Sequence, residues 1–165
     1  MPRKRIAAAV CCGLGIFFVL ALVWFFSAQP GTQSAALSEA VQRDIQRSGL
    51  TAFTPRLGLF TLQQAVRKWA HLYIYMVLGA LCAIEGRLLH PLSPFCPRMQ
   101  QFCLPAAFCA AAAALDEFHQ WFVPGRSAEL RDVGVDCLGA LVGILLAALA
   151  IWAWRQWRHF FQKKS

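Results

Sequence analysis

The sequence predicts an all-α integral membrane protein: a four-helix bundle with both termini in the cytoplasm and a polar cluster at its outer end. Three observations predict it. The 165-residue chain is 58% hydrophobic with only 15% charged residues, and its mean hydropathy is +0.49, far from the soluble average. It holds four long apolar runs. Its basic residues gather near one set of span ends, and five of its eight acids fall in LDEFHQWFVPGRSAELRDVGVD, residues 115–136.

The first span is placed at about 6–26. Ile6 to Phe26 is 21 residues without a charge, long enough to cross roughly 30 Å at about 1.5 Å per residue. The preceding PRKR also suits a signal peptide, but the run is long for one and its exit, WFFSAQP, is bulky where cleavage needs a small residue. An uncleaved anchor is therefore expected. Residues 27–65 follow as an outer loop, in which SEAVQRDIQRSG predicts a short helix with Ser38 as N-cap and Gly49 as its stop.

The second span is placed at about 66–85. Trp69 to Ile84 is too short alone, and the helix reaches a spanning length by continuing through Arg67 and Lys68, whose long side chains snorkel to the interface. An inner loop at 86–101 carries Pro91, Pro94 and Pro97 and reads as an irregular connection. The third span, about 102–122, tolerates Pro105 in its first turn and closes on DEFHQ. Pro124 and Gly125 make a turn that is expected to fold Arg126 back over a cavity between the span ends. The fourth span, about 133–154, ends among Trp152, Trp154 and Trp157, an interfacial aromatic belt.

Orientation follows from the cations beside the spans. With the amino terminus inside, the inner segments hold nine Lys and Arg against the single acid Glu85, and the outer segments hold seven cations against seven acids. The positive-inside rule favours this arrangement. The formal charge of +8 then reflects orientation and contact with anionic lipid, so membrane lipids are the expected partners and nucleic acid is not. The seven cysteines lack metal or disulfide spacing and read as small hydrophobes.

This topology brings the start of span two, the end of span three and the start of span four to one side. On span two, Lys68, His71 and Tyr75 recur at i, i+3 and i+7, a single stripe. On span three, Glu117 and Gln120 share a face, while Asp116 points about 100° away from Glu117. On span four, Asp132 and Asp136 run into Gly139 and Gly143, a small-residue stripe that admits a neighbouring helix closely. A carboxylate in a spanning helix costs about 2.5–3.5 kcal/mol at the bilayer centre and less near the ends. The stripes are therefore expected to face a common cavity, with Lys68 and Arg126 compensating Glu117, Asp132 or Asp136.

Acids at helix ends are also ordinary interfacial residues, and Asp132 near a helix start is favoured by the dipole alone. Asp116, Glu129, Arg131 and His119 are expected as interfacial side chains, whereas Glu117, Asp136 and His71 are expected to serve a site. Two functional classes stay open. An enzyme acting on a lipid or lipid-linked sugar would use Glu117 as general acid or base, with His71 and Asp136 beside it and Lys68, Gln120, Arg126, Asp132 and Tyr75 binding substrate. A metal variant would use His71, Glu117, Asp132 and Asp136, although spacing on separate helices leaves metal and cofactor unassigned. The other class is a binding, transport or structural membrane protein held by an inter-helix polar network.

FSAQ after the first span, KWAHLYIY entering the second, DEFHQ closing the third, then PGR and RDVGVDCLGALVG, resemble the VanZ-like family of bacterial membrane proteins across nearly the whole chain. The resemblance implies a four-to-five-span protein of the bacterial cytoplasmic membrane, in a family whose founding member is associated with resistance to the glycopeptide teicoplanin. It places the family pattern on Lys68, His71, Glu117, Gln120, Arg126, Asp132 and the position of Asp136, where the family usually carries Asn. It implies contact with cell-envelope lipid or peptidoglycan precursors and supplies no biochemical activity.

Overall fold

The computed structural model describes residues 3–47, 62–90, 96, 98–126 and 129–162. Five α-helices account for nearly all of them, and no strand occurs among the described residues. These are α1 (Arg3–Ser27), α2 (Gly31–Arg47), α3 (Leu62–Leu89), α4 (Leu104–Gln120) and α5 (Leu130–Gln162), with one π-helical turn, Met99–Cys103, running straight into α4. Four segments are long and apolar enough to cross a membrane: α1, Arg67–Leu89 of α3, Met99–Gln120, and α5.

The lengths follow from the pattern of charge. Helix α1 begins ahead of its apolar run and takes in Arg5, whose guanidinium donates to the carbonyls of Arg87 (2.9 Å) and Leu88 (3.0 Å) at the end of α3. One cation thus satisfies carbonyls that the helix itself leaves unbonded. At 33 residues α5 is about 50 Å long and outruns the hydrocarbon. Its overhang carries Trp154 with the Arg158 guanidinium 5.0 Å from its ring centroid, a cation–π contact suited to the headgroup region.

The most extensive packing joins α3 to α5. Their backbones touch where side chains are smallest: a Cβ at Gly139 or Gly143 would collide with the carbonyl of Leu72 or Met76, and one at Gly79 with that of Ala140. The neighbour admitted by the small-residue stripe of α5 is therefore α3. Tyr75, Leu78, Cys109, Ala113, Val23 and Ala140 form the core beside this seam. By contrast Phe17, Phe18, Leu145 and Leu149 are more than half exposed, an outward apolar surface that suits acyl chains.

Helix α2 differs from the sequence expectation. It begins at Gly31 rather than at Ser38, which lies within the helix, and Gly49 falls outside the described residues. The Gly31 N–H donates to the carbonyl of Pro124 at 3.1 Å, so the helix starts from a tie to the α4–α5 turn that local capping signals do not encode. Gly125 in that turn has φ +74°, a conformation that favours glycine. Pro91, Pro94 and Pro97 lie outside the described residues, but α3 and the π-helical turn already occupy both ends of the expected inner loop.

Candidate functional site

The helix order places the start of α3, the ends of α1 and α4, and the start of α5 at one end of the bundle. Lys68 of α3 forms an ion pair and hydrogen bond with Asp132 of α5 and lies 3.6 Å from the Glu129 carboxylate. The Glu129 N–H in turn donates to Glu117 of α4 at 3.0 Å. One lysine and one backbone amide thus join three helix ends.

Deeper in, the Nδ1 of His71 is 3.6 Å from the carboxylate of Asp136, ion-pair range but long for a hydrogen bond. Tyr75, one turn further along α3, is wholly buried. Asp116 of α4 is 1% exposed. Its Oδ2 accepts from Ser27 Oγ of α1 and from Gln120 Nε2, both at 2.9 Å. All four spanning helices therefore contribute polar side chains to this end of the bundle.

Lys68, His71, Glu117, Gln120, Asp132 and Asp136 line a single narrow cleft, joined by Arg67 and Val135. Its free interior takes about one water-sized sphere. Of the residues singled out in the sequence, Tyr75 lies behind the lining, in the core. Arg126 also stands apart from the cleft. Its guanidinium donates to the carbonyls of Phe26 (2.7 Å) and Gln29 (3.0 Å), and among the described residues no carboxylate pairs with it. The expected compensation of the acids therefore falls to Lys68, and Arg126 instead closes the carboxyl end of α1, where the dipole favours a cation. Burial, reinforced by the nearby charge of Arg67, pushes the Arg126 guanidinium below its usual pKa.

Asp116 is the residue that sequence reasoning missed. It was expected at the interface, yet it is among the most buried side chains. A usable signal was present: Cys109, Ala113, Asp116 and Gln120 follow i, i+4, i+7 and i+11 on α4, so the acid continues the stripe of small residues that enters the core. Glu129 lies at the rim with its side chain 48% exposed. His119, expected at the interface, packs against Trp24, with ring centroids 4.4 Å apart and the planes tilted by 57°.

Several buried polar atoms have no hydrogen-bond partner among the described residues: the Tyr75 hydroxyl, Asp116 Oδ1, both carboxylate oxygens of Asp136, and Arg126 Nη1. Buried polar atoms are normally satisfied. The arrangement thus offers acceptors and an imidazole in the core, with cations and Glu117 nearer the mouth. Such a set can hold a cation, move a proton or bind a polar headgroup.

No curated protein and no solved structure matches the chain. A family model described as VanZ/LLP1 matches residues 13–152, a stretch that contains every cleft residue named above. The four spanning helices and this match identify a multi-pass membrane protein, and the chain belongs to the VanZ/LLP1 family.

Proposed function

We propose that this protein sits in the bacterial cytoplasmic membrane with its polar end at the outer face, where the cleft engages the headgroup of a cell-envelope lipid or lipid-linked peptidoglycan precursor. The observation that carries this reading is the gathering of Arg67, Lys68 and Glu117 around one cleft at the end of the bundle. Cations at that depth attract a phosphate or carboxylate headgroup, while the apolar flanks of α1 and α5 accommodate its chains. The cation count on the two sides favours the outward orientation.

In the catalytic form of this reading Glu117 gives or takes the proton, His71 and Asp136 support it, and Lys68 with Arg67 holds the anionic group. Because the free space is about that of a water, the headgroup seats at the mouth rather than within the bundle. A second reading has its own support. The ties Lys68–Asp132 and Ser27–Asp116–Gln120 connect α3 to α5 and α1 to α4, as expected of a polar network that locks helices without chemistry.

Untargeted lipid mass spectrometry on membranes from cells expressing the wild type or Glu117→Gln, at matched protein levels, separates the two. The catalytic reading expects a lipid or lipid-linked precursor whose mass changes only with the wild type. Identical profiles from stably inserted proteins would end it. The further expectation, an influence on glycopeptide susceptibility, is checked by teicoplanin and vancomycin susceptibility with and without expression; equal values for both drugs would remove it.

A further inference from the structure

We propose that His71, Asp116 and Asp136 form a binding site for a divalent cation in the core of the bundle, behind the cleft. One ligand atom from each residue lies within 4.8 Å of the other two. Ligands at about 2.1 Å from an ion are at most about 4.2 Å apart, so small side-chain rotations close the set. The three come from α3, α4 and α5, which makes the site a product of the fold.

The surroundings point to a cation rather than to a simple acidic cluster. Asp116 and Asp136 are each 1% exposed. Three of their four oxygens lack a hydrogen-bond partner among the described residues, and so does the hydroxyl of Tyr75, which is 0% exposed. Tyr75 is one helical turn from His71 on the same face of α3. Buried polar groups are rarely left without partners, and a single ion would draw these three side chains together while the phenol oxygen offers a fourth contact.

Charge argues the same way. Two carboxylates at this depth need compensation, and the ammonium of Lys68 is engaged with Asp132 and Glu129 at the mouth. A neutral imidazole with two carboxylates carries a charge of about −2, which a divalent ion cancels. Mixed nitrogen and oxygen ligation favours Zn²⁺ or Mn²⁺ over Mg²⁺ or Ca²⁺. Ser27 and Gln120 donate to the Oδ2 of Asp116 and leave its Oδ1 for the ion, the kind of outer support that orients metal ligands.

The ligand set departs from the His71, Glu117, Asp132 and Asp136 that the sequence suggests. Glu117 accepts from the Glu129 amide and Asp132 is paired with Lys68, so both are committed at the mouth. Asp116, expected at the interface, replaces them. The proposal holds whether or not a lipid occupies the cleft.

The test uses full-length protein in detergent, purified without a polyhistidine tag, stripped with a chelator and titrated with Zn²⁺ or Mn²⁺ alone. The expected result is one cation per chain and a higher thermal unfolding midpoint in its presence. Asp116→Asn and Asp136→Asn should each weaken binding more than about 100-fold and Tyr75→Phe about tenfold, by comparison with the 10–100-fold typical of outer-shell groups. Asp132→Asn should bind as the wild type does. Wild-type protein that takes up no cation and unfolds at the same temperature with and without metal overturns the proposal, as does binding lost equally in Asp132→Asn and Asp136→Asn. Should an Asn variant fail to insert, the wild-type titration still decides. No lipid is needed, so a negative result leaves the reading of the cleft standing.

Discussion

The polar residues at the end of the bundle do unequal work, and their partners say which. Asp116 accepts from Ser27 and Gln120 together, so Asp116→Ala leaves the buried Ser27 hydroxyl without an acceptor and Gln120 with only its longer, 3.4 Å bond to Ser27 Oγ, and should cost about 1–3 kcal/mol for the orphaned hydroxyl and up to as much again for Gln120. Asp116→Asn keeps an acceptor and should cost less. Urea unfolding in mixed micelles measures both, and equal losses would contradict the hydrogen-bond account. Arg126 tests differently. Arg126→Ala frees the carbonyls of Phe26 and Gln29 and should lower stability by about 1–3 kcal/mol. If Arg126 instead held a ligand, the loss would appear in function while stability stayed unchanged. Sequence spacing singled out His71, Glu117 and Asp136 because each interrupts or borders apolar sequence. It passes over Asp116 when Glu117 is taken as the inward residue of its pair, although the stripe of Cys109, Ala113, Asp116 and Gln120 marks the other face of α4 as the core. Arg126 differs, because its backbone partners leave no trace in the side-chain pattern.

Among the elements, the seam between α3 and α5 sets the geometry of the cleft, because Lys68 and His71 stand on one of these helices and Asp132 and Asp136 on the other. Gly143 abuts the Met76 carbonyl, whereas Gly13 has open space around it. Gly143→Ala should therefore destabilise by about 1–3 kcal/mol through overpacking, while Gly13→Ala should be neutral or gain up to about 1 kcal/mol from helix propensity. Thermal unfolding of the two variants side by side checks the contrast; similar midpoints would mean that the seam is not close-packed. The glycine stripe is a four-residue repeat and was legible, as were the long apolar runs, which require only composition and length. The start of α2 was not, since its bond to Pro124 joins residues more than ninety apart. The onset of the third span at Met99 was also hidden, because a π-helical turn before Pro105 has no periodicity of its own.

For the whole molecule, the arginines at the two ends make the bundle directional. Arg5 closes α3 at one end and Arg126 closes α1 at the other, and of the acids in the spanning helices only Glu85 lies at the first. A lipid or precursor site at the outer leaflet, and any link to glycopeptide susceptibility, depends on that end facing out. Thiol labelling of intact cells with a membrane-impermeant maleimide tests this most directly. Cys96 is exposed on the connection between α3 and α4, at the opposite end, and Glu129 is half exposed at the polar end. With Cys96 replaced by Ala, Glu129→Cys should add labelling in intact cells over the same background without it. In the otherwise native chain Cys96 should label only after permeabilisation. The reverse pattern, Cys96 labelled in intact cells and position 129 protected, would place the cleft in the cytoplasm and contradict the account.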